Sequence, residues 1–309
     1  MSIKGILISL VAPMSDHIAN GGEKILGNAS SIKRRPDGRV YISGQMQRHV
    51  LFSALDRLNS DDPNKGDSYV SNGDGITTQV ETDLRADLGG FLQTSKESYS
   101  GRRIAPISAT PAVALGESEV GRDLLIRLKV LQNGESKNQA LATREFSQDD
   151  SMLMNFFIDV AAVGVRKRYS YKEQLHLGTE YVKHYDNAEK LRRLKLSLEA
   201  SASLTDYANQ ARNATSGEPQ KVLIVFDPKM SRKAARYFKA GETEQKRILA
   251  ELEARGATYF LGDDTDENTL SIFEAYEKAR TFLESAELFD PAPNAPIIST
   301  ADFEKAVTA

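Results

Sequence analysis

The chain opens on a short run of aliphatic and β-branched residues, Ile3 to Val11, stopped by Pro13, which is the pattern of a core strand. The next segment is its opposite. Between Asn20 and Gly38 lie Gly21, Gly22, Gly27, Pro36 and Gly38 beside Lys33, Arg34 and Arg35, so a long loop is predicted there. Val40, Tyr41 and Ile42 then lead to Ser43, a good N-cap, after which Met46, Val50, Ala54 and Leu58 recur at helical spacing. That places a helix from about Gly44 to Leu58.

Asn59 to Gly75 has little to bury and is predicted as loop; Leu84, Leu88 and Phe91 suggest a short helix. Leu124, Ile126, Leu128 and Val130 alternate with polar residues, and Met152 to Val163 is a second strand-like run. The polar stretch from Gln132 to Asp150 between them predicts an extended hairpin joining two antiparallel strands. From Tyr181 to Asn213, a stripe of Tyr181, Tyr185, Ala188, Leu191, Leu194 and Leu198 predicts one long helix. Lys221 to Phe226 is a buried strand ended by Pro228. Helices over 231–255, a strand at Thr258–Leu261, a helix from about Glu267 to Leu283 and a Pro-rich tail over 290–298 complete the pattern.

Composition narrows the chemistry. The 309 residues contain no cysteine, which removes disulfides, thiolate metal sites and cysteine nucleophiles. No run of about 18 apolar residues occurs, so no membrane span or membrane partner is expected, and a cytoplasmic location is. The net charge of -3 hides a gradient. Residues 1–150 hold 18 Lys plus Arg against 19 Asp plus Glu, residues 151–212 hold 10 against 7, and residues 213–309 hold 12 against 17. Nothing resembles a basic tail, although local clusters can still line a groove.

Several sites are weighed and set aside. His17, His49, His176 and His184 have no metal-binding spacing. Asp263, Thr265, Glu267 and Glu274 imitate a calcium loop, but Asn268 stands where glycine is needed, so neither metal nor other cofactor is expected. Gly21-Gly22-Glu23-Lys24 does not have the order of a phosphate-binding loop, and no nucleophile elbow occurs.

Three basic clusters remain: Lys33-Arg34-Arg35, Arg102-Arg103 and Arg166-Lys167-Arg168, the last beside Tyr169 and Tyr171. Basic residues with interleaved aromatics at loop and strand edges suit a surface that follows a phosphate backbone and stacks bases. The helix start at Ser43-Gly44 adds unpaired N–H groups, with Gln45 and Arg48 on one face.

These residues carry a resemblance. Gly27-Asn28, Ser31 to Arg35, the turn at Asp37-Gly38 and Val40-Tyr41-Ile42-Ser43-Gly44-Gln45 with Arg48-His49 resemble the signature of DevR-like RAMP proteins, the backbone subunits of type I CRISPR Cascade complexes. Arg102 to Ser108 and the segment Asn138 to Phe146 before a Met-rich strand are similar to that family too.

The resemblance implies an α+β fold: an RRM-like (ferredoxin-like) palm built from Ile3–Val11, the helix after Gly44, the Asp123 and Met152 strands, the long helix and the Val222 strand. It also implies a fingers insertion over 59–121, a thumb hairpin over 132–150 and a helical C-terminal part over 227–309. The implied function is a non-catalytic subunit coating crRNA, with further copies of itself, other Cascade subunits and the target DNA strand as partners. The implied RNA contacts are Asn28, Lys33, Arg34, Arg35, Ser43, Gln45, Arg48, Arg102, Arg103, Lys137, Arg144, Arg166, Lys167 and Arg168. Two other readings stay open. Related type III backbone subunits cut RNA with a loop aspartate, for which Asp149 and Asp150 are the candidates here, and a promoter-binding regulator is suggested by the developmental name of the family.

Overall fold

The computed structural model describes residues 2–20, 22–24, 29–94, 101–129 and 138–308. Strand β1 (Gly5–His17) occupies the middle of the principal sheet. Its first eight residues are all buried because both faces of the sheet are covered at that point, which explains why the sequence there does not alternate. Ile6, Ile8, Leu10, Ala12 and Met14 enter the larger core, whereas Leu7 enters a smaller one on the opposite face.

Short strands β2 (Glu23–Lys24), β3 (Ala29–Ser31) and β4 (Tyr41–Ile42) precede helix α1 (Gly44–Asp61). Helix α2 (Leu84–Gly89) and the small hairpin β5 (Phe91–Gln93) with β6 (Gly101–Arg103) follow, then β7 (Ile107–Ala109) and β8 (Ala112–Ala114). Strand β9 (Val120–Lys129) pairs antiparallel with the first part of β10 (Asn138–Asp159), and the second part of β10 pairs with β1. A hairpin arm and a central sheet strand are therefore one continuous segment. Of the segment predicted as a thumb, residues 132–137 lie outside the described residues.

The strand neighbouring the inner half of β10 differs from the expectation. In place of the Asp123 strand, β7 and β8 pair there, at Ile107–Ala109 and Val113–Ala114, although both fall within the stretch expected to be inserted fingers. The apolar run from Ile104 to Leu115 is used as sheet, while Leu124 and Ile126 of β9 project outward, 61 % and 56 % exposed.

The long helix expected from Tyr181 is also replaced. Strands β11 (Val165–Lys172) and β12 (Leu175–Lys183) form a projecting hairpin, and helix α3 (Asn187–Ala200) begins only after Asp186, whose carboxylate accepts the Glu189 N–H. An N-cap inside the apparent stripe sets the start, and Tyr181 falls to the strand.

Strand β13 (Lys221–Asp227) pairs with β1. The remainder contains a 3-10 segment (Lys233–Lys239), α4 (Glu242–Ala254), α5 (Ile272–Ser285) and α6 (Thr300–Thr308), and the strand expected at Thr258–Leu261 is present as edge strand β14 (Thr258–Asp263) beside β13. The Pro-rich stretch is not a loose tail. Lys183 bonds through its backbone to Pro296 and Ile298.

Helices α1, α2, α3 and α5 cover one face of the sheet. On the other, Ala234, Tyr237, Ile248 and Leu252 cover Leu7, Phe157, Leu223 and Val225. That second cover stops short of β8 and the middle of β10.

Candidate nucleic-acid interface

Where the cover stops, the sheet face is the floor of a groove of about 490 Å³. Leu153 and Asn155 of β10 and Thr110, Pro111 and Val113 around β8 form the floor. One wall is the turn after Lys33. Arg34 bridges to Val40, the Arg35 N–H donates to the Arg39 carbonyl, and Gly38 takes φ +82°, a backbone state that an L side chain strains. Arg35 and Arg39 of this turn line the groove. Asp37 bonds the Arg39 guanidinium at 2.9 Å, and that hydrogen bond holds its carboxyl below the ordinary range.

The other wall is the 3-10 segment, which contributes Arg232, Lys233, Arg236 and Lys239. Arg232 lies 4.2 Å from the Phe157 ring centroid, which fixes the guanidinium at the inner edge. Arg236 is paired with Glu244 at 2.8 Å and Lys233 with Glu251, both on the solvent side. Among the described residues that line the groove, none is Asp or Glu. Six cations on two walls above a mostly apolar floor can hold a run of phosphates while sugars or bases lie on the floor.

The residues expected from sequence are dispersed. Asn28 and Lys137 lie outside the described residues. Arg35 is in the groove, with half-buried Lys33 and exposed Arg34 on the same turn, Arg34 lying 3.9 Å from Glu145. Exposed Gln45 occupies the first turn of α1, whereas the Ser43 hydroxyl is occupied as N-cap by the Met46 N–H. Arg144 donates to Ser30 at 2.7 Å. Arg102 and Lys167 are exposed, and Arg168 pairs with Glu180.

Three expected contacts are corrected by burial. Arg103 donates to the carbonyls of Asp87, Val165 and Ala162, each at 2.8 Å, and pairs with the Asp87 carboxylate. Arg166 is buried, 3.8 Å from the Phe303 ring centroid. Arg48 is half-buried, donates to the Gly89 carbonyl, and burial lowers its pKa. All three brace the fold instead of facing a ligand.

Asp87 is the hub of this bracing. Arg193 reaches it at 2.9 Å, Tyr185 donates its hydroxyl, and the Gly164 N–H donates at 3.1 Å. Burial alone would raise the Asp87 pKa, but the Arg103 and Arg193 charges with these hydrogen bonds hold it below the ordinary value. Neighbouring His184 is pushed down to about 4, first by burial and then by the Arg103 and Arg166 charges.

The two aspartates considered for cleavage are engaged. Asp150 is buried and accepts from His17 at 2.8 Å and from Ser118; Asp149 accepts from Ser15 at 2.6 Å. In the calcium-like stretch, Asp263 binds Lys221 and Thr265, and Glu274 forms a capping box with Ser271. Among the described residues, no group of three or more His, Asp and Glu could hold a metal, and no helix is long and apolar enough to cross a membrane.

Sequence reasoning missed the wall from Arg232 to Lys239. Its signal was the spacing of Arg232, Arg236 and Lys239, which returns cations to one side of a helical turn, concealed by the acidic total of the last third.

The α+β fold is similar to that of chains in solved structures. The structure is similar to a chain of a CRISPR RNA-guided surveillance complex at TM-score 0.56 and 14% identity, covering 90% of this chain and 98% of that one. It is likewise similar to a chain of a CRISPR RNA-guided surveillance complex, pre-nicking, at TM-score 0.56 and 11% identity, covering 91% and 100% respectively. Residues 23–227 match the CRISPR-associated negative auto-regulator DevR/Csa2 family, and the chain belongs to that family. No curated protein matches the sequence.

Proposed function

We propose that the protein is a non-catalytic crRNA-binding backbone subunit of a Cascade-type effector, which assembles in several copies along one guide for recognition of a DNA strand. The observation that carries this reading is the six-cation groove on the open sheet face, with no acid among its described lining residues. Guides differ in sequence, so a coat protein gains affinity from phosphate and sugar and leaves base edges to pair with target. Membership of the DevR/Csa2 family and the fold likeness to surveillance-complex chains support the same role. The strand order β13, β1, β10, then β7 and β8, supports reading the sheet as a ferredoxin-like palm, with the β9–β10 arms as its thumb.

RNA cleavage is disfavoured by the hydrogen bonds that occupy Asp149 and Asp150. Purified protein is expected to bind single-stranded RNA at low salt and form larger species as the RNA lengthens, measured by anisotropy and light scattering. An RNA-free monomer that ignores RNA at low salt would refute the role, and a sequence-specific shift of duplex DNA that outcompetes RNA would favour the promoter-binding alternative.

A further inference from the structure

The groove floor contains one feature that phosphate binding does not require. Asn155 of β10 lines the groove, and its Nδ2 donates to the Thr110 hydroxyl across 3.4 Å, a long bond at the limit of the interaction. Its Oδ1 is buried without a hydrogen-bond partner among the described residues. Directly across the strand pair stands Ser9 of β1, fully buried, whose Oγ also has no partner. Buried polar atoms are ordinarily satisfied, so two uncommitted groups side by side under a cationic groove call for an explanation.

A carbonyl oxygen repels phosphate and welcomes a hydrogen-bond donor. The amide can also turn by half a revolution, exchanging Oδ1 and Nδ2 at the loss of one weak bond. The group that satisfies either orientation is one that both donates and accepts. On a nucleic acid the ribose 2′-hydroxyl does this, it is present at every RNA nucleotide whatever the base, and DNA lacks it. Arg35 and Arg39 on one wall and Arg232 and Arg236 on the other set phosphates above the floor, leaving the sugar edge to face it.

We infer that Asn155, with Thr110 as its hydrogen-bond relay, recognises a ribose 2′-hydroxyl and makes the groove selective for RNA over single-stranded DNA. This rests on the groove being the RNA-binding surface proposed above.

The test compares full-length protein with an oligouridylate and a deoxyuridine oligomer of equal length by fluorescence anisotropy at low salt. Wild type is expected to prefer RNA. Asn155→Ala, and independently Thr110→Val, a nearly isosteric change at an edge turn, should weaken RNA binding about threefold to tenfold, the worth of one hydrogen bond, and DNA binding by less, so that the preference for RNA falls. A 2′-O-methyl oligomer, which keeps an acceptor and loses the donor, should bind wild type less tightly than RNA. Equal weakening for RNA and DNA, or an undiminished RNA preference in both variants, overturns the inference while leaving the groove as the binding surface. Should wild type bind neither oligomer, the groove reading and the inference fall together.

Discussion

Two sets of arginines in this chain have opposite fates. Around Asp87, Arg103 and Arg193 are buried, each guanidinium meeting a carboxylate and backbone carbonyls. Along the groove, Arg35, Arg39, Arg232 and Arg236 line an open face with no acid among the described lining residues, and the acids paired with Arg39 and Arg236, Asp37 and Glu244, are not among them. A buried cation must be neutralised in place because desolvation is otherwise prohibitive, whereas a cation beside water can keep much of its field for a partner. The first set costs and stabilises the fold; the second is available to bind.

That contrast is most sharply broken at the hub. Asp87→Asn should cost about 3–5 kcal/mol in denaturant unfolding, because Arg103 would remain buried without a carboxylate and Arg193 would keep only Glu189. RNA affinity of the folded fraction should be unchanged. A loss under 1 kcal/mol would show that the backbone carbonyls, with Glu189 on Arg193, suffice for the two guanidiniums.

Acid should act on the same region. His184 has its pKa lowered from 6.5 to about 4, so the unfolded chain binds the proton first. Its neutral form therefore favours the fold above pH 6.5, and that stability is lost progressively as pH falls toward 4, by at most about 3 kcal/mol. Thermal melts over that window should slope downward for wild type and flatten for His184→Gln.

The groove should respond in binding instead. Arg35→Ala combined with Lys239→Ala is expected to lower single-stranded RNA affinity roughly tenfold at low salt and to reduce the salt slope by about 1.4, two phosphate contacts' worth. Unfolding free energy should change by less than about 0.5 kcal/mol. The smallest expected effect is Glu244→Gln, which frees Arg236 at the rim and should tighten RNA binding about twofold at low salt and not at all at high salt.

Why the two sets could not be separated from sequence follows from strand geometry. Arg102 and Arg103 are adjacent on β6, as Arg166 and Lys167 are on β11, and neighbours on a strand face opposite sides. A contiguous basic cluster on a strand is thus split, one member exposed and the other buried. What local chemistry dictates was legible: the β1 run, the Ser43 cap and the α1 stripe, the β13 run and the turn at Asp37-Gly38. What depends on distant partners was not. Nothing near Ile107 announces its pairing with β10, and nothing near Arg232 announces that its wall faces the turn at Arg35, almost two hundred residues earlier in the chain.

The position of β1 has a consequence during synthesis. It leaves the ribosome before the strands it pairs with, and its first eight residues are buried in the fold, yet both partners arrive much later, β10 from Asn138 and β13 only from Lys221. At 5–20 residues per second, translation leaves β1 without its second neighbour for about ten to forty seconds. A nascent chain stopped before Lys221 leaves the β1 edge that β13 covers without its partner, and an unpaired apolar edge is a template for association with other chains.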